Sequence, residues 1–556
     1  MKKIISIITI ALVVLIASCV SEDRFERMNR VKTSVTDESL AQDFNFGKRY
    51  PEILRALGHG TTGAQYYEDW GVDNFMRHTG TPYDEENGRD FMSYYVVESW
   101  ANRQWDFNYN SVMAPALANK KLALSMDLPI FAHWSDIIQV ISMSRLTLFH
   151  GPLIYSEYGT ELPQYNYDSE ITLHEKFFTE IDRLIPILKS FGDDETIKKF
   201  DDSYGGNLTK WMRMLNTMRL RWAMRIVKVD KDWARREYDK ALAEPAGLIL
   251  TNADNFTVPM LGTNYPAWTY CENWNDMRLG SGVEEVCVGY KDPRIHIWAQ
   301  RIAEKDHDWI FANEPGGPAS RTREWAYKGI AGGIYIQAKD QRIPYSKIGT
   351  YFGPGGGGAT YRRVYTAAET HFIFAEAALR GWPTPDGKTA KDWYESGVRT
   401  SWADWGADKL AGYDVETYLA DNTNLPIDYD DPQDPRNSYN TNIKITVKWD
   451  DLADPEVKLE RIMTQKWLAS FQHALEMWSD YRRTGYPKLS ATAKNESTEV
   501  WGRVQPGDVL MRYPFILAER MNNEAGVEEA KKKLTNGKDL ITTPLWIHPN
   551  WGGSNF

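Results

Sequence analysis

Residues 366–406 read TAAETHFIFAEAALRGWPTPDGKTAKDWYESGVRTSWADWG, and their punctuation decides the fold class. Thr366, followed three residues later by Glu369, matches a capping box, in which side chain and backbone satisfy each other's unpaired donors at a helix start. Gly381 and Pro383 then stop the helix, since glycine takes the left-handed turn and proline cannot continue it. A second helix is expected from about Thr389. Two antiparallel helices on a short Gly/Pro turn make one hairpin of about 34 residues, the length of a tetratricopeptide-like unit, although the consensus residues of that repeat are not literally present.

Working outward, residues 48–250 read as largely helical. The clearest stretch is NLTKWMRMLNTMRLRWAMRIVKV, where Leu208, Trp211 or Met212, Leu215, Met218, Trp222 and Ile226 recur at helical spacing. Lys210, Arg213, Arg219, Arg221 and Arg225 lie between them and are expected to pair with acids or stay solvated rather than form a basic binding face. Residues 250–360 lose this period and turn rich in Gly, Pro, Trp and Asn, which predicts long loops with YIQ (335–337) and VCVGY (286–290) as strand candidates. Loops this long in a compact protein usually carry function. An acidic loop, NTNLPIDYDDPQDPRNS, precedes a further long helix over 458–483 with Leu459, Met463, Trp467, Phe471, Leu475 and Trp478 on one face. The tail from about 485 reads as irregular. The chain is thus mostly α, with inserted loops and a few short β-strands.

The N-terminus has its own logic. Lys2 and Lys3 precede a largely apolar run of 14 residues, Ile4 to Ala17. As a helix it spans roughly 21 Å, short of the ~30 Å hydrocarbon core of a bilayer, so it reads as a signal peptide and not a membrane span. Ile16-Ala17-Ser18-Cys19 resembles the bacterial lipobox, which implies cleavage before Cys19 and acylation of its thiol and new amino group. Two or more acyl chains anchor firmly where one does not. This gives residues 1–18 as signal peptide and 19–45 as a lipidated, polar tether. Of 556 residues only Cys271 and Cys287 remain as thiols, either disulfide-bonded or free.

Chemistry is sparse. The net charge of -11 disfavours a nucleic-acid partner. No H-E-x-x-H, paired C-x-x-C or G-x-S-x-G occurs, and GPGGGG at 353–358 lacks the Lys-Ser/Thr of a phosphate loop, so it reads as a flexible loop. Asp428, Asp430, Asp431 and Asp434 could hold calcium, but their spacing does not match a calcium loop and two prolines interrupt it; a solvated acidic loop is the simpler reading. Among 76 acids nothing singles out a glycosidase pair. No catalytic residue, metal site or cofactor is assigned.

Several segments together resemble the SusD/RagB family: TAAETHFIFAEAALRGW, WYESGVRTSW, RYPFILAERMNNEAG and, most specific, the QKWLA and EMWSDYRRTGYP stretches of 465–487. HGPLIYSEYGT and LNTMRLRWAMRI are weaker matches. The resemblance spans roughly residues 45–556 and implies one SusD-like domain over 46–556, a scaffold of tetratricopeptide-like hairpins. It also implies a non-enzymatic lipoprotein on the outer face of the outer membrane of a Bacteroidetes-type bacterium. Such a protein caps a SusC-type TonB-dependent transporter and captures nutrients, usually oligosaccharides. Glu22-Asp23 loosely resembles the acidic surface-export signal. No invariant sugar-binding residue carries over. Sugars present apolar C–H faces to rings and hydroxyls to amides, so Trp268, Tyr270, Asn273, Trp274 and Asn275 form the candidate platform, with Trp70 as a further candidate. A peptide-capturing subunit, as some RagB relatives are, is the alternative, and a surface glycoside hydrolase a remote one.

Overall fold

A computed structural model describes residues 42–58, 70–82, 91–260, 265–358, 360–549 and 551–556. The lipobox and Cys19 lie outside the described residues. The chain divides into two units, Met1–Lys48 and Arg49–Phe556.

The frame of the second unit is helical. Its helices of eight residues or more are α1 (Tyr50–Leu57), α2 (Glu98–Phe107), α3 (Ala114–Ser125), α4 (Pro129–His150), α5 (Glu170–Phe191), α6 (Leu208–Arg225), α7 (Lys231–Ala243), α8 (Ala367–Leu379), α9 (Ala390–Trp405), α10 (Pro455–Ala469), α11 (Leu475–Thr484) and α12 (Glu524–Lys532). Neighbours in sequence are neighbours in space through α3–α7. The series then continues across a long insertion, with α8 on α6, α9 on α8, and α10 on both α8 and α9. Each hairpin buries its apolar faces on the next, as stacked helical repeats do. No helix among the described residues is long and apolar enough to cross a membrane.

The hairpin of 366–406 forms as its punctuation requires. The Thr366 side chain caps α8, Gly381 adopts φ +75°, and the Thr389 and Asp392 side chains close a full capping box on α9. At Thr366 the reciprocal half is absent, because Glu369 is committed elsewhere: it accepts from Arg221 Nε at 2.7 Å. The arginines of α6 are paired, and three of them are buried rather than solvated. Arg219 pairs with Glu237 (3.0 Å) and Asp182, Arg221 with Glu369 and Glu476, and Arg225 with Glu476. The helix therefore carries its charges inward, where each needs a partner.

Three expectations fail for physical reasons. VCVGY is helical: a π-turn spans Glu284–Val288, and its valines, with Cys287, point into the core. A short apolar run cannot be told from a buried helical turn by period alone. The turn also delivers Glu284 to Arg321 and Lys328, each at 2.9 Å. YIQ forms no strand; Ile336 N–H donates one bond, to Pro82 O, at 2.9 Å. The helix expected over 458–483 breaks into α10 and α11 at Gln472, whose φ is +62°. The break lays Phe471 flat against Trp298, centroids 4.6 Å apart and planes within 12°. A non-glycine residue at positive φ carries no strong sequence signal. The tail, too, is only partly irregular, since it holds Leu517–Asn522 and α12. The described strands are β1 (Thr79–Gly80), β2 (Phe256–Pro259), β3 (Arg278–Leu279) and β4 (Tyr361–Tyr365), paired antiparallel as β1–β3 and β2–β4.

Candidate functional site

The Trp-rich loop follows β2. Pro266 opens a helical turn, Pro266–Trp268, a position where its missing N–H costs nothing. The turn widens into a π-turn over Thr269–Asn273, a distortion often found at functional sites. Trp274 N–H donates back to Thr269 O at 3.0 Å, and Asn275 turns the chain at φ +63°. As a result Tyr270 and Cys271 face the core and Asn273 and Trp274 face solvent.

This brings separated parts of the sequence into one row of rings. Trp100 lies 5.3 Å from Trp70, Trp70 5.9 Å from Tyr270, and Tyr270 5.0 Å from Trp274. Trp70 is 3% exposed, Tyr270 0% and Trp274 37%. A ring covered by its own chain has no face to offer a ligand, so Trp70 and Tyr270 act in this conformation as the backing of the row, and Trp274 is its accessible end. Trp268 is half-buried beside the row's loop. A Cβ at Gly353 would sit 2.9 Å from its indole, so that glycine is what lets the ring close down. Farther along GPGGGG, Gly357 and Gly358 lie against the Tyr351 ring, whereas Pro354 and Gly355 are exposed.

The polar residues differ in availability. Asn273 is exposed. The Asn275 amide is spent within the fold, donating to Lys339 O at 3.2 Å and accepting from Arg278. Lys339 donates to the Trp274 carbonyl, and Arg342 donates to Asn275 O (2.7 Å) and to Asp276 (2.6 Å). The 339–342 turn therefore clamps the segment that presents Trp274. Neither that clamp nor Trp100 was singled out in the sequence; no motif marks them. Glu272 accepts from Gln300 at 2.6 Å and from Lys347 at 2.7 Å. Cys271 and Cys287 are free and buried, and burial pushes the Cys271 thiol up to about 11.

The acidic loop is folded rather than solvated throughout. Asp431 is buried and accepts from Tyr429 (2.9 Å) and Tyr345 (3.0 Å), and Asp434 pairs with Arg436. Among the described residues no group of three or more His, Cys, Asp or Glu could hold a metal ion.

The family model SusD-like, described as SusD and RagB outer membrane lipoprotein, matches residues 27–548. Among solved structures, a chitin-binding SusD homolog from Flavobacterium johnsoniae is 32% identical, with a TM-score of 0.80 over 92% of this chain and 100% of that one. A SusD homolog from Bacteroides uniformis is 28% identical and a SusD-like protein from Bacteroides thetaiotaomicron 26%. Both have a TM-score of 0.78 over 92% of this chain and all of theirs. No curated protein matches. The helical-hairpin scaffold and a match over nearly the whole chain agree, and the protein belongs to the SusD-like family of outer-membrane lipoproteins.

Proposed function

We propose that the protein is a non-enzymatic, surface-facing lipoprotein that captures oligosaccharides and delivers them to a SusC-type TonB-dependent transporter. In this reading residues 1–18 are the signal peptide, residues 19–45 the lipidated tether and residues 46–556 the binding domain. The observation that carries it is Trp274: a large ring, partly exposed, packed on Tyr270 at the end of a row of buried rings, on a segment whose backbone carbonyls are bound by Lys339 and Arg342. A fixed ring loses little entropy on binding and offers a flat apolar face for a sugar's C–H surface. The Flavobacterium johnsoniae relative, described as chitin-binding, makes N-acetylglucosamine oligomers the first ligands to try. Calorimetric titration of the protein against oligosaccharide and peptide panels tests this. Saturable binding of an oligosaccharide supports it; binding of peptides alone refutes it.

The anchor is tested separately. Cys19→Ala should abolish partitioning into detergent and labelling by a palmitate analogue, because two or more acyl chains are what hold such a protein on a membrane. A variant that still partitions and labels overturns the lipobox assignment.

A further inference from the structure

A cavity lined by none of the rings of the Trp274 row lies among the β1 approach, α11 and the C-terminal segment. Its volume is about 430 Å³, within the ~300–1,000 Å³ span of small-ligand pockets. Its wall includes Arg77, Tyr94, Tyr481, Ser490, Phe75 and Trp551. Tyr481 and Trp551 meet edge to face at 5.1 Å.

Arg77 is the unusual member. It is 5% exposed, yet among the described residues its hydrogen bonds reach only two backbone carbonyls, Asn74 at 3.3 Å and Ser490 at 3.4 Å, and no carboxylate. A buried guanidinium without a counter-charge is costly. The buried carboxyl that Arg77's field reaches, Glu285, is pushed up to about 7 by its own burial and is hydrogen-bonded by Tyr439. The other charged residues of the wall are Lys488, paired with Glu460 at 2.7 Å, and Asp508, which is exposed.

The fold also makes special room for Arg77. Its backbone is held at φ +57°, where a non-glycine residue is uncommon. A Cβ on Gly332 would lie 2.1 Å from its Nη1, one on Gly282 2.8 Å from its Cβ, and one on Gly280 2.2 Å from its carbonyl oxygen. Three glycines thus cradle one arginine. A hydroxyl is also buried there without a partner: that of Ser490, 8% exposed, whose Oγ makes no hydrogen bond.

We propose that this cavity is a binding site for the carboxylate of a small hydroxylated ligand, the acid group on Arg77 and a hydroxyl on Ser490, with the ring or chain of the ligand against Tyr481 and Trp551. Arginine suits a carboxylate because its planar fork can donate two parallel bonds. A sugar acid and the C-terminus of a peptide both carry that group, so the test separates them. The full-length protein is titrated calorimetrically with D-glucuronate, with N-acetylglycine and with neutral D-glucose. Saturable binding of glucuronate without glucose identifies a sugar-acid site. Equal binding of N-acetylglycine, which carries no hydroxyl, would overturn the Ser490 contact and with it the hydroxylated-ligand assignment. Arg77→Gln should weaken acid binding tenfold or more, whereas Trp274→Ala should leave it unchanged, so this proposal and the oligosaccharide reading fail independently. If Arg77→Gln does not fold, Ser490→Val decides and should also weaken binding by about tenfold. Glucose binding as tightly as the acids, no binding of either acid, or a folded variant binding normally overturns the proposal.

Discussion

Replacing Trp467 by alanine should cost the fold about 3–5 kcal/mol, the usual range for truncating a fully buried large aromatic. Its indole is 0% exposed and donates to Met76 O at 2.7 Å. Its ring lies 4.9 Å from His78, whose side chain in turn contacts the Trp467 carbonyl at 3.0 Å. The substitution leaves a cavity and also strips the Met76 carbonyl of its partner, a second penalty for a buried acceptor. Chemical-denaturation midpoints measure it. A loss inside the ~0.5 kcal/mol scatter of surface substitutions would mean that Trp467 does not join α10 to the β1 region as described.

The second large effect is expected at Glu376. Its carboxylate is 1% exposed and accepts from Arg483 at 2.7 and 2.8 Å and from Arg380 at 2.7 and 3.0 Å. Arg483 also pairs with Asp480, which Lys466 reaches at 2.6 Å. This is what the Asp480-Tyr-Arg-Arg483 segment does: it builds a buried charge network joining α8, α10 and α11. Glu376→Gln keeps the shape and removes the charge, leaving two buried guanidinium groups with one fewer counter-ion. Breaking one side of such a pair costs about 3–5 kcal/mol. The pH dependence follows. Burial alone would raise the Glu376 carboxyl, but Arg483 and Arg380 outweigh it and hold it below the usual range; Asp480 is likewise held low, burial being outweighed by Lys466 and Arg483. Their stabilisation is therefore present above the unfolded carboxylate range of about pH 4, and it is lost as pH falls through the lower folded values. The wild type should lose stability on acidification below about pH 4, with a shallower slope in Glu376→Gln. An equal slope in both would place the acid-sensitive groups elsewhere.

What could be read from the sequence and what could not divide along physical lines. The hairpin was legible because its signals are local: Thr366 at one helix start, Gly381 and Pro383 at the turn, and Thr389 at the next start. The sequence left the α6 arginines either paired with acids or solvated; that three are buried, and on which acids, was hidden because Glu369 and Glu476 lie far along the chain. The break at Gln472 was hidden because its cause is tertiary: Phe471 turns in to stack on Trp298, and no glycine or proline announces it. Residues 286–290 misled because valines suit a strand and a buried helical turn alike. The candidate loop was found from composition, yet the row that orders it was not. Trp100 meets Trp70, and Trp70 meets Tyr270, only through the fold, and Lys339 and Arg342 clamp the Trp274 segment through backbone carbonyls that no side-chain pattern reveals. The Arg77 cradle has the same origin, since Gly280, Gly282 and Gly332 matter only where they converge.

The central claim, that the ring at the end of this row receives a sugar, is tested most directly by Trp274→Ala, titrated with N-acetylglucosamine oligomers while its melting temperature is recorded. Trp274 is partly exposed, so its removal should leave the melting temperature nearly unchanged. Loss of one stacking contact should remove about 1–2 kcal/mol of affinity, a roughly 5- to 30-fold weaker complex. A stable variant that binds these oligomers as the wild type does, or one whose binding falls only because it unfolds, would contradict the claim.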